Sequence, residues 1–183
     1  MTGVQTCALP ISAVDYLPRP SGVSVERTRD GVSTSLNPTV GYNAIPGDTL
    51  VFNIPVLNAG FLSGPSTELE VTAPDGSTSR GSVPALGGLQ EASTQVTWII
   101  PNTQPIGTVQ LGFEVDPDDL MIMDANQSND AANFSVFIGR LPTANITQTQ
   151  AAKTLTEVHI DARNSNDPDG GGLNLQMMAT LIL

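Results

Sequence analysis

The chain has 183 residues, 18 acidic against 7 basic side chains and a formal net charge of −11. This charge argues against nucleic acid and anionic membrane surfaces as partners, because both bind basic protein surfaces. With Cys7 as the single cysteine, an internal disulfide and a thiolate metal site are excluded. No apolar run approaches the roughly 20 residues that a membrane-spanning helix needs.

The first eleven residues, MTGVQTCALPI, resemble the translation of a short-read sequencing adapter. A secretory signal is the alternative, but the segment lacks a basic start and a sufficiently long apolar run. We therefore expect residues 1–11, Cys7 included, to be non-native, and the rest to be a fragment of a longer protein. Residues 12–21 contain Pro18 and Pro20 and are predicted to form an extended linker.

Alternating apolar and polar residues predict β-strands in the next part of the chain. The clearest is Thr49–Phe61, in which large apolar side chains recur at a spacing of two and share one face. Pro55 lacks a backbone donor, which predicts an edge strand or a bulge. The sequence Asn58-Ala59-Gly60 predicts a sharp turn with positive φ. The apolar face consists of Leu50, Phe52, Ile54 and Val56.

Similar alternation occurs at residues 22–29, 69–73, 80–83, 95–100, 108–115 and 134–138. Turn sequences such as Asp30-Gly31 and Pro74-Asp75-Gly76 separate these segments. Nothing between residues 22 and 139 has a convincing helical period. The pattern predicts an antiparallel β-sandwich of about seven strands, with Trp98 near the middle of its core.

The sequence Gly139-Arg140-Leu141-Pro142 predicts a joint between two domains. Beyond it, residues 144–146 and 155–161 suggest two more strands, followed by the turn NSNDPDGGGLN. The remaining segment is too short to form a complete sandwich. We expect a second β-sandwich that is cut off.

Four motifs in residues 46–139 resemble the cell-adhesion-related bacterial domain (CARDB). They are PGDTLVFNIPVLNAG, TQVTWII, the strand that runs into EVDPDD, and DANQSNDAANFSVFIG, where Asp130 replaces the usual Asn. The resemblance implies an immunoglobulin-like antiparallel β-sandwich over residues 22–140, in an extracellular protein of bacteria or archaea.

Residues 141–183 resemble the start of a polycystic-kidney-disease-type repeat, a β-sandwich of surface proteins. The matching run is HIDARNSNDPDGGGL, through Asp161, Ser165 and Asp167-Pro168-Asp169-Gly170. The family usually continues with Tyr and Trp where this chain has Leu175 and Met177. A reading-frame error near the end of a sequencing read would explain this departure.

Catalytic groups are scarce in the sequence. His159 is the only histidine, and it takes an outward position on a predicted strand. There is no Ser-His-Asp set within one domain, no histidine pair at metal-binding spacing and no phosphate-binding glycine loop. We expect the chain not to be an enzyme.

An acidic loop before the last strand of the sandwich is the best candidate for a binding site. Calcium takes about six to eight oxygen ligands from such side chains, although the spacing does not match an EF-hand. The alternative is a solvated loop whose Asp and Asn residues stabilise turns. The candidate calcium ligands are Asp116, Asp118, Asp119, Asp124, Asn126 and Asp130. A smaller second candidate set is Asp161, Asp167 and Asp169.

Three segments match the sequon for N-glycosylation, namely Asn126-Gln127-Ser128, Asn133-Phe134-Ser135 and Asn145-Ile146-Thr147. Chance matches are expected in a chain this rich in Asn, Ser and Thr.

These observations predict a non-catalytic structural or adhesive module of a large extracellular or cell-surface prokaryotic protein. Its partners would be neighbouring β-sandwich domains of the same chain, together with a cell-surface protein or a glycan. One alternative is an accessory domain of a secreted hydrolase. Another is a carbohydrate-binding module, whose only aromatic sugar platforms would be Tyr16, Tyr42 and Phe137.

Overall fold

The computed structural model describes residues 13–37, 41–121, 123–145, 147–148, 160–161 and 164–166. The chain divides into two compact units, Met1–Ile138 and Gly139–Leu183. The first unit contains the strands Tyr16–Pro18 (β1), Ser24–Arg29 (β2), Val32–Ser35 (β3), Asn43–Ala44 (β4), Thr49–Asn58 (β5), Thr67–Thr72 (β6), Thr78–Val83 (β7), Glu91–Ile99 (β8), Gly107–Val115 (β9) and Ala131–Ile138 (β10).

These strands form two five-stranded sheets. In the first sheet, β5 pairs with β8 along one side and with both β1 and β2 along the other, and β3 lies outside β2. The second sheet has the order β4-β10-β9-β6-β7, in which β4 and β10 are parallel and the other neighbours are antiparallel. The prediction of an all-β, immunoglobulin-like sandwich is confirmed for this unit.

The core lies between the two sheets and follows directly from the alternation in sequence. The four apolar residues that alternate along β5 are each 0% exposed. Phe52 of the first sheet contacts Phe113 and Phe134 of the second, with ring centroids 6.3 and 5.9 Å away. Trp98 is buried, as predicted, but it pairs with Leu50 near one end of the sandwich, and the phenylalanines occupy the middle.

Pro55 lies at the centre of the first sheet and not at an edge, because β5 is paired on both sides. The bulge that Pro55 predicts is in the neighbouring strand. Between β1 and β2, residues 19–23 lie opposite only Ile54 and Pro55. The Arg19 N–H donates to the Pro55 carbonyl at 2.8 Å, so this carbonyl points toward the bulge. The N–H and C=O of a strand residue point to the same side, and the nitrogen of Pro55 therefore also faces the bulge. Pro55 thus removes no hydrogen bond between β5 and β8.

The described chain enters this sandwich at one end and leaves it at the other. We call the first end the entry pole and define it by residues 13–16, 58–64, 86–90, 116–121 and 123–130. The exit pole consists of residues 30–31, 45–48, 100–107 and 138. At the exit pole Ile138 pairs with Ala44 and Gly107, whereas Val14 bridges to Asp124 at the entry pole.

The prediction of a linker at residues 12–21 is wrong for the part that the structure describes. Tyr16–Pro18 forms β1, and Tyr16 is 1% exposed. The two prolines that suggested a linker lie instead at the end of β1 and in the 3-10 turn Pro20–Gly22 of the bulge.

The turn after β5 forms as predicted, but its glycine is needed for a different reason. Gly60 is not among the residues with positive φ. A Cβ at this position would lie 2.0 Å from the carbonyl oxygen of Ala13. Gly60 therefore permits the close approach of the entering chain to the end of β5.

In the second unit, Thr147–Gln148 (β11) pairs antiparallel with Ile160–Asp161 (β12). Thr143 and Asn166 exchange two backbone hydrogen bonds, and the Asn145 N–H donates to Ser165 Oγ at 3.0 Å. His159, Asp167 and Asp169 lie outside the described residues, as do Leu175 and Met177.

Candidate functional site

The entry pole is assembled around Asn58, the last residue of β5. Asn58 is 0% exposed, although it is polar. Its Oδ1 accepts hydrogen bonds from the backbone N–H groups of Asp15 and Gly60, at 3.2 and 3.1 Å. Its Nδ2 donates to the carbonyls of Leu62, Leu86 and Gly87. A single side chain thus fixes the entering chain and two loops.

Tyr16 makes a second connection between the same segments. Its hydroxyl donates to the Pro65 carbonyl at 3.1 Å and accepts from the Leu86 N–H at 2.8 Å. Burial raises the pKa of this phenol, so it stays protonated and keeps its donor. Gly64 provides the space, since a Cβ there would lie 2.8 Å from the Tyr16 hydroxyl.

The loop between β9 and β10 is attached to the entering chain through Asp124. Its Oδ2 accepts from the Tyr16 N–H and its Oδ1 from the Asn126 N–H, both at 2.9 Å. The Ala125 N–H donates to the Val14 carbonyl at 2.9 Å. Asp124 therefore acts as a structural acceptor that closes this end of the sandwich.

Asp116 organises the first half of the same loop from a positive φ of 55°. Its carboxylate accepts from the Thr67 hydroxyl at 2.9 Å and from the Met121 N–H at 2.7 Å. Both carboxylate oxygens already have donors, so they fold the loop back against the start of β6.

Arg80 of β7 connects the exposed Asp118 to the outer face of the second sheet. Its guanidinium contacts Asp118 and Glu70 at 2.7 Å and Glu68 at 3.1 Å. Pairing with Arg80 lowers the pKa of Asp118. Asp118 is therefore paired with a cation that it shares with Glu68 and Glu70.

Asp130 differs from the other acidic residues, because its Oδ1 is buried without a hydrogen-bond partner. Burial, followed by the charges of nearby carboxylates, raises the pKa of Asp130 to about 7. Asn129 Oδ1 is also buried without a partner, and Asn129 Nδ2 donates to Asp15 Oδ1 at 3.0 Å. The surrounding carboxylates belong to Asp124, Asp15, Asp116 and Asp119.

The six residues predicted as calcium ligands thus have different environments. Asp116, Asp118 and Asp124 are engaged as described, and Asn126 Oδ1 accepts from the Ser128 hydroxyl at 2.6 Å. Asp119 is exposed with a φ of 51°. In the part of the chain that the structure describes, no three His, Cys, Asp or Glu side chains are grouped so that they could hold a metal ion.

Among the described residues, the most deeply buried charged side chain lies at the exit pole, and it was not singled out from the sequence. Asp48 is 1% exposed, and both of its carboxylate oxygens contact Arg29 at 2.7 Å. Burial alone would raise the pKa of Asp48, but the hydrogen bonds from Arg29 and the Ile45 N–H outweigh it and lower the pKa. A sequence signal did exist, because Asp48 and Asn58 each continue the alternation of Leu50–Val56 by one inward position.

The three aromatic residues considered as sugar platforms are not equivalent. Tyr16 is buried, and the Tyr42 ring packs against Phe134 with centroids 4.8 Å apart. The Tyr42 hydroxyl donates to the Val23 carbonyl at 3.0 Å. Phe137 is 36% exposed. Within the described ranges, no helix has the length and apolar character of a membrane span.

No protein-family model and no curated protein matches the sequence. Solved structures of similar shape include the CARDB domain of a Pyrococcus furiosus protein in complex with di-metal ions, at 18% identity and a TM-score of 0.49, covering 75% of this chain and 99% of that one. A solution structure of that domain has 20% identity, a TM-score of 0.43, and coverages of 67% and 95%. A domain of a hypothesised cell surface protein from Methanosarcina acetivorans has 16% identity, a TM-score of 0.44, and coverages of 69% and 92%.

Proposed function

We propose that the first unit is a non-catalytic spacer module of an extracellular or cell-surface protein. The observation that carries this proposal is the position of its two ends, since the described chain enters at one pole and leaves at the opposite pole. Ten residues of β5 span roughly 33 Å between the poles, at about 3.3 Å per residue. A module connected in this way adds length to a polypeptide.

The hydrogen bonds at both ends suit a module that transmits tension. Force along the pole-to-pole axis would act parallel to β1 and β10, so that the bonds of each strand share the load. Strand β10 has eight residue pairs with β9. Because β1 belongs to one sheet and β10 to the other, the load also passes through the packed core.

The test is single-molecule pulling of the full chain carrying Cys7→Ser. Handles at Ala13→Cys and Leu141→Cys apply force from pole to pole, and Leu141 is 56% exposed. Handles at Ala13→Cys and Phe61→Cys are the matched control, because both lie at the entry pole and peel β1 from β5 one bond at a time. We expect a higher rupture force in the first geometry. Equal rupture forces in the two pulling geometries would contradict the spacer proposal.

The surface location is a proposal that rests on the motifs of residues 46–139. Its test is protease shaving of intact source cells, which should release peptides of this chain if it faces the outside. An accessory role beside a hydrolase predicts the same location but requires a catalytic domain in the same polypeptide. Carbohydrate binding is less favoured, since Tyr16 is buried and the Tyr42 hydroxyl is occupied.

We further propose that calcium binds at the entry pole around Asp130. The support is chemical: two buried oxygens, Asp130 Oδ1 and Asn129 Oδ1, have no donor, and the charges of four other carboxylates act on Asp130. Oxygen atoms of this kind are the ligands that calcium prefers. The other predicted ligands would contribute only by exchanging or adding to their present contacts; they are Asp116, Asp118, Asp119, Asp124 and Asn126.

Thermal unfolding after chelation, with and without millimolar calcium, tests this site. We expect calcium to raise the melting temperature, and Asp130→Asn to abolish the rise. Glu114→Gln is the control, because Glu114 is exposed and the substitution makes the same change in charge. Magnesium at the same concentration measures the effect of ionic strength. An unchanged melt, or an equal rise in Asp130→Asn, would contradict the proposal.

A further inference from the structure

A short exposed turn at the entry pole has no part in the proposed spacer role. It contains the sequon Asn126-Gln127-Ser128, of which Gln127 and Ser128 belong to the 3-10 turn Gln127–Asn129. We propose that Asn126 is an acceptor of an N-linked glycan in the folded protein. This inference rests on the extracellular or cell-surface location proposed above.

The side chain of Asn126 has the arrangement that an acceptor needs. Asn126 and Ser128 are both exposed. The Ser128 hydroxyl donates to Asn126 Oδ1 at 2.6 Å, so the two groups that define the sequon already face each other. This bond occupies the amide oxygen, and no described residue bonds the amide nitrogen Nδ2. The reacting atom is therefore free and accessible.

The sequon Asn133-Phe134-Ser135 provides a comparison within the same chain. It lies in β10, where Asn133 pairs with Gly112 and Ser135 with Gln110 of β9. Gln110 Nε2 also donates to Ser135 Oγ at 2.8 Å. An enzyme could bind this segment only after removing it from the sheet. The turn at Asn126 is held by fewer backbone bonds, from the Ala125 N–H to the Val14 carbonyl at 2.9 Å and from the Asn129 N–H to the Asn126 carbonyl at 3.2 Å, together with the bond from the Asn126 N–H to Asp124 at 2.9 Å.

The residue two positions before each Asn differs among the sequons. Asp124 precedes Asn126 by two positions, whereas Ala131 precedes Asn133 and Thr143 precedes Asn145. An acidic residue at this position completes the longer acceptor pattern that bacterial oligosaccharyltransferases use. The turn at Asn126 therefore combines the longer pattern with exposed Asn126 and Ser128 side chains. A transferase that reads Asp124 displaces its bonds from the Tyr16 and Asn126 N–H groups. Residue 146 of the third sequon lies outside the described residues.

The reaction is a group transfer without oxidation or reduction. The co-reactant is an oligosaccharide carried on a lipid pyrophosphate. Asn126 Nδ2 forms a bond to C1 of the first sugar, while the bond between C1 and the pyrophosphate oxygen breaks. The amide nitrogen gives one proton to a base of the transferase, and the lipid pyrophosphate leaves.

The test is glycosylation of the folded, full-length chain by a purified bacterial oligosaccharyltransferase with its lipid-linked oligosaccharide, followed by peptide mass spectrometry. We expect the glycan at Asn126, its loss in Asn126→Gln and in Ser128→Ala, and no change in Asn133→Gln. The folded chain without a glycan at Asn126, or with equal occupancy at Asn133, would overturn the inference.

Each variant is also checked by Trp98 fluorescence, so that a misfolded protein is recognised. If Ser128→Ala alters the fold, Ser128→Thr serves in its place, and it should keep the glycan because the hydroxyl is retained. The pulling experiment reports on the spacer role separately. A chain that resists pole-to-pole force but carries no glycan would lose only this inference.

Discussion

Asp48 at the exit pole and Asp130 at the entry pole are compensated in opposite ways. At the exit pole the charge of Asp48 is matched by Arg29 through two bonds of 2.7 Å. At the entry pole Asp130 is partly buried among other carboxylates, and its pKa is raised to about 7. The exit pole therefore satisfies its charge internally, whereas the entry pole keeps a charge that folding alone does not compensate.

Backbone strain from positive φ angles is also more frequent at the entry pole than at the exit pole. Of the described non-glycine residues with positive φ, Leu89, Asp116 and Asp119 lie at the entry pole, and only Asp30 lies at the exit pole. Asp tolerates this conformation better than Leu does. Strain that persists in a fold is a reason to look for function at that place. The calcium and glycan sites proposed above both lie at the entry pole.

The largest expected effect comes from breaking the ion pair of the exit pole. Arg29→Ala leaves the Asp48 carboxylate buried and unpaired, which should cost about 3–5 kcal/mol of unfolding free energy. Urea unfolding followed by Trp98 fluorescence measures this loss. Arg19→Ala is the control, because its pair with Glu91 is exposed and should contribute less than about 1 kcal/mol. Equal losses in the two variants would mean that burial of Asp48 does not matter.

The pH dependence of this pair has a definite sign. The pKa of Asp48 is lower in the folded protein than in the unfolded chain. The contribution of Asp48 to the free energy of unfolding is therefore present above the pKa of the unfolded state and is lost as the pH falls through the pKa of the folded state. The wild type should therefore lose more stability on acidification than Asp48→Asn does.

The next largest effect is expected at the entry pole, from Asn58→Asp. The substitution keeps the acceptor for Asp15 and Gly60 but replaces the amide donor by a second oxygen. The buried carbonyls of Leu62 and Leu86 would then face a carboxylate, at a cost of roughly 3 kcal/mol at neutral pH. Asn58→Ala should cost somewhat less, since it leaves groups unpaired but adds no repulsion. If Asn58→Asp were tolerated, solvent would have to reach this site.

Asp130→Asn should instead stabilise the protein at pH 8. Because the pKa of Asp130 is raised in the folded protein, its contribution to the free energy of unfolding depends on pH. This contribution is fully present below the pKa of about 4 that Asp has in the unfolded chain, and it is lost as the pH rises through about 7. We expect a gain of about 1 kcal/mol at pH 8, because solvent reaching part of the side chain screens much of the repulsion. Thermal melts of both proteins from pH 4 to 8 should converge at the acid end. A constant difference across this range would contradict the assignment.

The smallest effect should come from Leu89→Gly. Leu89 has a φ of 60° and is 59% exposed, so glycine relieves strain while little buried contact is lost. We expect a gain of up to about 1 kcal/mol in urea unfolding. Gly76→Ala, at a φ of 81° in a turn outside the poles, should show the opposite sign and serves as the control. A destabilised Leu89→Gly would show that the Leu89 side chain is held by contacts that outweigh the strain.

The sequence predicts the long strands well, because burial of one face leaves a period of two. Strand β5 and the inward residues of β6, β8, β9 and β10 follow this pattern. Strands β1, β3 and β4 were missed, since β1 and β4 have three and two residues and β3 is exposed at every position. Periodicity carries no information about such strands.

The site was less predictable, because its members come from distant parts of the chain. The acidic loop could be recognised as a cluster, but Arg80 and Asp15, which contact Asp118 and Asn129, could not be associated with it from spacing. The roles of Asn58 and Asp48 were accessible in principle. Both lie at inward positions of the alternation in β5, where a polar residue must be buried and therefore hydrogen-bonded.

The bulge between β1 and β2 stores chain length that the sheet does not use. If β1 separates from β5 under tension, the eleven residues 13–23 can straighten to roughly 36 Å while β2 keeps its register with β5. Straightening this segment withdraws Val14 and Tyr16, each 1% exposed, from the core, while β2, β5 and β8 stay paired. A polypeptide containing such modules would therefore lengthen in two stages, first by release of the entry segment and then by separation of the remaining strands.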